Sequence, residues 1–393
     1  MIYLDNNATT QVAPEVFAAM EPYLKDSYGN PSSAHALGRK MRSAVEGARE
    51  QVAELLGAND VSEIVFTSCG SESDNWAIGG FLEQNQNRRH LITTRVEHEA
   101  VRNLCEHLAK IGCEVTWLEV DQNGELDLDD LRRALRRDTG LVSVMMANNE
   151  TGVLFPIEQV GRIVRANSDA VFHVDGVQAV GKIPISLREL PVDLFAVSGH
   201  KFHAPKGVGA LCIRRGVKLP PFIIGGGQER GRRSGTEAVP NIVGLGRACQ
   251  LAHQFTERQQ IRALRDRLED EILARFPNAR LNGVADRVKR LPNTSNISFE
   301  GLDGSDILAM LDEGGVCVST GSACNAESQE VSAVLRAMKV PYQVARGSIR
   351  FSLGRYNTKA DIDHTLAVLP KVIEHLTTSS HIKGVRAGDA GGL

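Results

Sequence analysis

Ala170-Val171-Phe172-His173-Val174-Asp175 and Asp193-Leu194-Phe195-Ala196-Val197-Ser198-Gly199-His200-Lys201 are the two stretches that decide the fold. Each is a near-continuous apolar run that ends abruptly in polar residues. Such runs read as strands buried on both faces. Similar runs lie upstream at 63–67, 91–94, 113–120 and 141–147. Amphipathic segments separate them. Over residues 41–56, Val45, Ala48, Val52 and Leu55 fall on one stripe, and Gly57 supplies a left-handed stop. Strands alternating with helices predict an α/β fold with a mostly parallel sheet covered on both faces.

From about Asn241 the pattern changes. A helical stretch reaches about Phe276, followed by a smaller α+β portion with strands near 295–299 and 347–352 and helices near 306–312 and 359–376. The expected division is a large domain over 15–255, a small domain made of 1–14 and 256–378, and a Gly-rich tail, 379–393, without regular structure. The length of 393 residues suits two domains and a large core. With 45 basic and 48 acidic side chains, no basic excess calls for nucleic acid. No apolar run is long enough to cross a bilayer, and the N-terminus lacks a signal-peptide pattern, so the cytoplasm is the expected compartment. Seven scattered cysteines without a C-x-x-C pair indicate neither a disulfide framework nor a zinc knuckle.

Ligands of parallel sheets sit at the carboxyl ends of the strands, so the polar residues found there are the candidates. After 63–67 comes Thr67-Ser68-Cys69-Gly70-Ser71-Glu72-Ser73-Asp74, opening a helix near Glu72. It reads either as a phosphate-binding turn or as a plain helix cap. His98 follows the next strand, and Asn148-Asn149-Glu150-Thr151-Gly152 follows 141–147. Asp175, with Gln178 three residues on, and Lys201 then end neighbouring strands. A carboxylate beside a pyridine nitrogen keeps it protonated, and a lysine forms a Schiff base with an aldehyde. Ser198 and His200 are placed to donate to a phosphate. A metal pair at His200 and His203 lacks an acidic or cysteine neighbour in sequence, so no metal site is expected.

The run Gly225-Gly226-Gly227-Gln228-Glu229-Arg230-Gly231-Arg232-Arg233-Ser234-Gly235-Thr236 matches no nucleotide motif. Its three arginines suggest an anion clamp, one that reaches a second subunit. Cys324, in the small polar run Ser319-Thr320-Gly321-Ser322-Ala323-Cys324-Asn325, is the candidate nucleophile, with Cys69 its nearest rival. Arg350, inside the apolar strand Ser348-Ile349-Arg350-Phe351-Ser352, needs an anionic partner, which a substrate carboxylate would supply.

Five motifs together carry a family resemblance: residues 66–74, Val174-Asp175-Gly176-Val177-Gln178, Ser198-Gly199-His200-Lys201, Arg233-Ser234-Gly235-Thr236 and Gly321-Ser322-Ala323-Cys324. The chain resembles the class V cysteine desulfurases of the NifS/IscS type, which depend on pyridoxal 5'-phosphate (PLP). The likeness runs from Tyr3 to beyond Arg355. Residues 147–152 and 203–207 resemble the nitrogen-fixation branch more than the housekeeping one.

The resemblance implies a fold-type I PLP transferase with a sheet of the seven-stranded type, a homodimer, and conversion of L-cysteine to L-alanine. The sulfur is held as a persulfide on Cys324 before delivery to an iron–sulfur scaffold or other acceptor protein. It implies that Lys201 carries PLP and moves protons, His98 stacks on the ring and acts as acid or base, and Asp175 pairs with the pyridine nitrogen. Gln178 contacts the ring hydroxyl, and Asn149 lies by the ring and the substrate carboxylate. Gly70, Ser71, Ser198 and His200 hold the phosphate, joined by Thr236 from the partner subunit. Arg350 grips the substrate carboxylate.

Two departures stand out. Gln329 and Val331 replace a more usual Leu-Glu-Pro-Ser ending, which implies a looser hinge and leaves acceptor specificity open. The chain also stops short of the longer C-terminal segment that housekeeping members use for docking. Other chemistries of the same fold, selenocysteine lysis or aminotransfer, and a non-catalytic scaffold are the alternative readings. Retention of Lys201, Asp175 and Cys324 argues against the last.

Overall fold

The computed structural model describes the backbone of residues 1–253, 258–320 and 331–388, with side chains for all of these but Arg258 and those beyond 378. The strands, in chain order, are β1 (Ile2–Tyr3), β2 (Ile64–Thr67), β3 (His90–Thr94), β4 (Glu114–Leu118), β5 (Thr139–Ser143), β6 (Val171–Asp175), β7 (Leu194–Ser198) and β8 (Gly209–Ile213). They continue with β9 (Ala279–Leu281), β10 (Thr294–Phe299), β11 (Val316–Cys317) and β12 (Ser348–Ser352). Strands β2 to β8 form one seven-stranded sheet in the order β2-β8-β7-β6-β5-β3-β4. The run from β7 to β4 is parallel, and β8 is antiparallel to both of its neighbours. Every residue of β2, β3, β5, β7 and β8 is buried, as helices on both faces require.

The helix Ala36–Leu56 closes on Gly57 at φ 58, where the glycine N–H bonds the Ala53 and Glu54 carbonyls. Its core face is Met41, Val45, Ala48, Val52 and Leu56. Leu55, expected on that stripe, is only partly buried, because a 3.6-residue period places Leu56 over the sheet. Of the strand expected over 141–147, the regular pairing of β5 ends at Ser143, and Val144 still donates to the His173 carbonyl of β6 at 3.2 Å. Met146 N–H likewise donates to the Asp175 carbonyl of β6 at 2.8 Å, and Ala147 then turns to pair with Leu154.

The apolar interior has two large clusters. One spans the seven-stranded sheet. The other joins Leu4 with Ile261, Leu268, Ile297, Phe351, Leu369 and Ile373. Val334, Leu335, Met338 and Ala345 pack in the first cluster although they lie late in the chain. The stretch 241–276 is two helices, Val239–His253 and Arg258–Arg275. The last helix spans Lys359–Gly388, beyond the expected end near Leu376 and through part of the segment expected to be disordered. Within it Thr377 and Thr378 bond their hydroxyls back to the Ile373 and Glu374 carbonyls.

Candidate active site

Five strands of the large sheet, β2, β3, β5, β6 and β7, end at one edge, and their ends frame a cavity of about 250 Å³. Its walls include Gly70, Ser71, His98, Asn149, Asp175, Gln178, Ser198, His200 and Lys201. These nine, scattered over more than a hundred residues of sequence, are thus brought together. Cys69 and Asp74 also line the cavity. Thr236 is exposed and is not among the lining residues. Cys324 and Gln329 lie outside the described residues.

Local backbone explains the placement. Lys201 closes a single helical turn, Gly199–Lys201, directly after β7. A side chain on Gly199 would come within 2.9 Å of the Ala204 Cβ and 3.0 Å of Leu245, so the turn needs glycine. The Lys201 amine donates to the carbonyls of Asn7 and Ala8 at 2.7 and 2.8 Å. Asp175 is the last residue of β6, 6% exposed, and one of its oxygens accepts from the Val177 amide at 2.9 Å. Burial pushes its pKa up, while His98, the Val177 amide and Lys201 pull it down. His98 caps the helix Glu99–Lys110, its Nδ1 accepting from the Ala100 amide at 3.1 Å. Burial, opposed by Asp175 and reinforced by Lys201, lowers its pKa. The neutral ring that results carries its proton on Nε2. Burial and the neighbouring lysines bring His200 down to about 4, and its Nδ1 lies 3.1 Å from the Thr9 hydroxyl.

Packed around Asp175 and Asp74 are groups whose place was not legible in the sequence. Asp74 and Glu97 are fully buried beside Asp175. Burial raises both, Glu97 to about 8. His173, 0% exposed and lowered to about 3 by burial, bonds the Ser143 hydroxyl through Nδ1 at 2.9 Å. Its Nε2 lies 3.4 Å from an Asp74 oxygen, and neither atom has a hydrogen-bond partner. Asp74 was legible only as a first-turn helix residue, and His173 only as one polar residue in an apolar strand.

Asn7 was also missed, since Asn6-Asn7 after a short strand resembles a turn. It is 1% exposed. Its carbonyl accepts from Lys201 and from Gln178 Nε2 at 2.9 Å, and its amide donates to the Asn149 carbonyl and the Thr294 hydroxyl.

Arg350 sits behind Asn149 rather than on the cavity wall. Its guanidinium donates to the Asn149 carbonyl at 3.0 Å and to Asp5 at 2.8 Å, and its Nε has no partner. The anionic partner it needs is therefore already present in Asp5. The arginines expected to form an anion clamp turn elsewhere. Arg233 grips Glu72, Arg230 faces Glu46 and the Ser62 carbonyl, and Arg232 donates to Ser62. Acidic side chains and carbonyls within reach satisfy them before any ligand does. His203, the other half of the doubtful metal pair, bonds the Gln11 carbonyl. Val331 packs against the first core and Ser332 caps the helix Ala333–Ala337, so the segment after residue 330 is anchored despite the missing proline.

An amine, a buried carboxyl, a neutral imidazole and a rim of hydroxyl and N–H groups in one cavity fit an aromatic aldehyde carrying a phosphate. Among the described residues no helix is long and apolar enough to cross a membrane.

A family model described as "Aminotransferase class-V" matches residues 2–365. The chain is 54% identical over 390 residues to a protein of Trichormus azollae named cysteine desulfurase, covering 99% of this chain and 96% of that one. It is 48% identical over 381 residues to cysteine desulfurase NifS of Azotobacter vinelandii, covering 96% and 94% of the two chains. A solved structure titled "NIFS-LIKE PROTEIN" superposes with a TM-score of 0.88 at 41% identity, covering 96% of this chain and 99% of that one.

Proposed function

The chain belongs to the aminotransferase class-V family, and from that premise we infer that it is a PLP-dependent cysteine desulfurase, converting L-cysteine to L-alanine. The observation that carries this reading is the convergence of Lys201, Asp175 and His98 on one cavity rimmed by Gly70, Ser71, Ser198 and His200. PLP bound there supplies an electron sink for charge developing at the substrate Cα. Lys201 is the point of covalent attachment and, when free, the base at Cα. Asp175, raised by burial, gains in the ring nitrogen the cationic partner that favours its ionised form. His98, with Nδ1 accepting from Ala100 and its proton therefore on Nε2, would lie against the bound ring and could give one proton. Gln178 meets the ring hydroxyl. Gly70, Ser71, Ser198 and His200 receive the phosphate, and Thr236 completes that site across a homodimer interface. Asn149 positions the substrate carboxylate, and Arg350, held by Asp5, supports it from behind through the Asn149 carbonyl.

Cys324 is the sulfur acceptor. Its thiolate forms the S–S bond as the substrate Cβ–S bond breaks, leaving alanine and an enzyme persulfide, so no external oxidant is consumed. The persulfide passes to an acceptor protein of iron–sulfur assembly in the cytoplasm, and the NifS likeness favours a nitrogenase-linked acceptor. The domains are read as 15–255 and 1–14 with 256–378, a division that the two cores support apart from the segment around Val334–Ala345.

The test is to incubate the PLP-loaded enzyme with L-cysteine, then measure alanine, sulfide and intact mass. One added sulfur mapped to Cys324 is expected. Keto acid in place of alanine sinks the desulfurase reading, and sulfur mapped to Cys69, the other candidate thiol, sinks the Cys324 assignment. Cys324→Ala is expected to keep the yellow absorbance and lose sulfide release, whereas Lys201→Ala loses that absorbance.

A further inference from the structure

Lys182 lies half-buried one turn beyond Gln178 and takes no part in the chemistry above. Its amine donates to Gln178 Oε1 at 2.6 Å and to Asn7 Oδ1 at 2.9 Å, both neutral acceptors. Filling this space with an amine rather than an apolar side chain is costly. Burial, then the charges of Lys201 and Arg350, hold its pKa well below the usual lysine value. Its two bonds have a geometric consequence. With Oε1 fixed on Lys182, the Gln178 amide has its Nε2 turned to the Asn7 carbonyl at 2.9 Å. With its side-chain oxygen held by Lys182 and Asn293, Asn7 keeps that same carbonyl 2.7 Å from the Lys201 amine. Ala8 offers a second carbonyl to that amine at 2.8 Å. An amine held on two fixed carbonyls has its direction of approach fixed as well.

We propose that Lys182 is a positioning residue: by clamping Asn7 and Gln178 it sets the direction from which the Lys201 amine takes and returns the substrate proton. The proposal rests on the PLP reading above. Charged and titratable neighbours of the two lysines are Arg350, Asp175, His98, His200 and His203.

The experiment uses the full chain loaded with PLP and compares wild type with Lys182→Met. Three quantities are read: the pH titration of the lysine-bound PLP absorbance, the rate at which that absorbance develops when PLP is added to apoprotein, and the split between kcat and KM for L-cysteine. Small displacements of a reacting group cost one to two orders of magnitude in rate. Lys182→Met is therefore expected to bind PLP, to shift the titration midpoint by about half a unit or more, and to lower kcat about tenfold with KM within about twofold. A folded Lys182→Met with wild-type titration and kcat overturns the proposal. Should that variant not accumulate folded, Asn7→Ser removes the acceptor from the other side and must give the same split. Wild-type behaviour of Asn7→Ser overturns it equally. A wild-type enzyme that develops no such absorbance overturns the functional reading instead.

Discussion

Glu97 accepts from the Thr94 hydroxyl at 2.7 Å and the Met145 amide at 3.0 Å through one oxygen, and its other oxygen is buried without a partner. Burial lifts its pKa to about 8, and burial lifts Glu150 to about 7. An unfolded glutamate titrates near about 4.3, so the folded state binds more protons across the interval between. Stability from these groups is complete below about pH 4.3 and is lost as pH rises through about 7 and 8. The melting temperature is thus expected to fall between about pH 5 and pH 9. Glu97→Gln, which stays neutral, is expected to match wild type near pH 5 and exceed it near pH 9. Melting curves across that range check this, and an unchanged slope in Glu97→Gln refutes it.

At the scale of elements, the loop after β8 is anchored by a buried pair. Arg49, on the inner face of the helix Ala36–Leu56, donates to both oxygens of Glu229 at 2.7 and 2.9 Å. Glu229 also accepts from the Phe66 amide in β2, so helix, strand and loop share one carboxylate. Glu229 and Arg230 adopt positive φ of 47° and 59°, a conformation this anchor sustains. Removing one partner of a buried pair leaves an uncompensated charge and costs about 3–5 kcal/mol. Arg49→Met is expected to destabilise the protein by that amount in urea titration, and Arg49→Met with Glu229→Gln to recover part of it. A loss below about 1 kcal/mol contradicts the anchoring role.

At the scale of the whole molecule, the first thirteen residues strap the two cores together across the site. Leu4 and Asn6 bond the Cys317 and Ser352 carbonyls, while Thr10 and Ala13 bond those of His200 and His203. Between these anchor points lie Asp5, on Arg350, and Asn7, on Lys201. The strap pairs β1 with β11, and β11 leads towards Ser319, whose amide and carbonyl bond Arg350. Asp5→Ala takes away the group that aims the guanidinium. It is expected to raise KM for L-cysteine about tenfold, with a smaller change in kcat. Steady-state kinetics decide it, and an unaltered KM shows that Arg350 holds its place without the strap.

Much was fixed by local pattern. Period-2 and period-3.6 apolar spacing depends only on near neighbours, so the strands, the helices and the parallel sheet could be read directly. Polar residues at strand ends marked the site for the same reason: Asp175 and Lys201 interrupt apolar runs at the edge where ligands bind. The antiparallel β8, the packing of Val334–Ala345 against the first core and the helix beyond Leu376 gave no such signal. Neither did the roles of Asn7, Lys182, Glu97 and Asp5, each an ordinary polar residue in sequence. What makes each one matter is a partner far away in the chain: Lys201 for Asn7, Arg350 for Asp5, Met145 for Glu97. Burial and long-range hydrogen bonding are properties of the folded chain as a whole. Sequence therefore determined which groups stand at the strand ends, and only the tertiary structure decided what holds them there and which charges they feel.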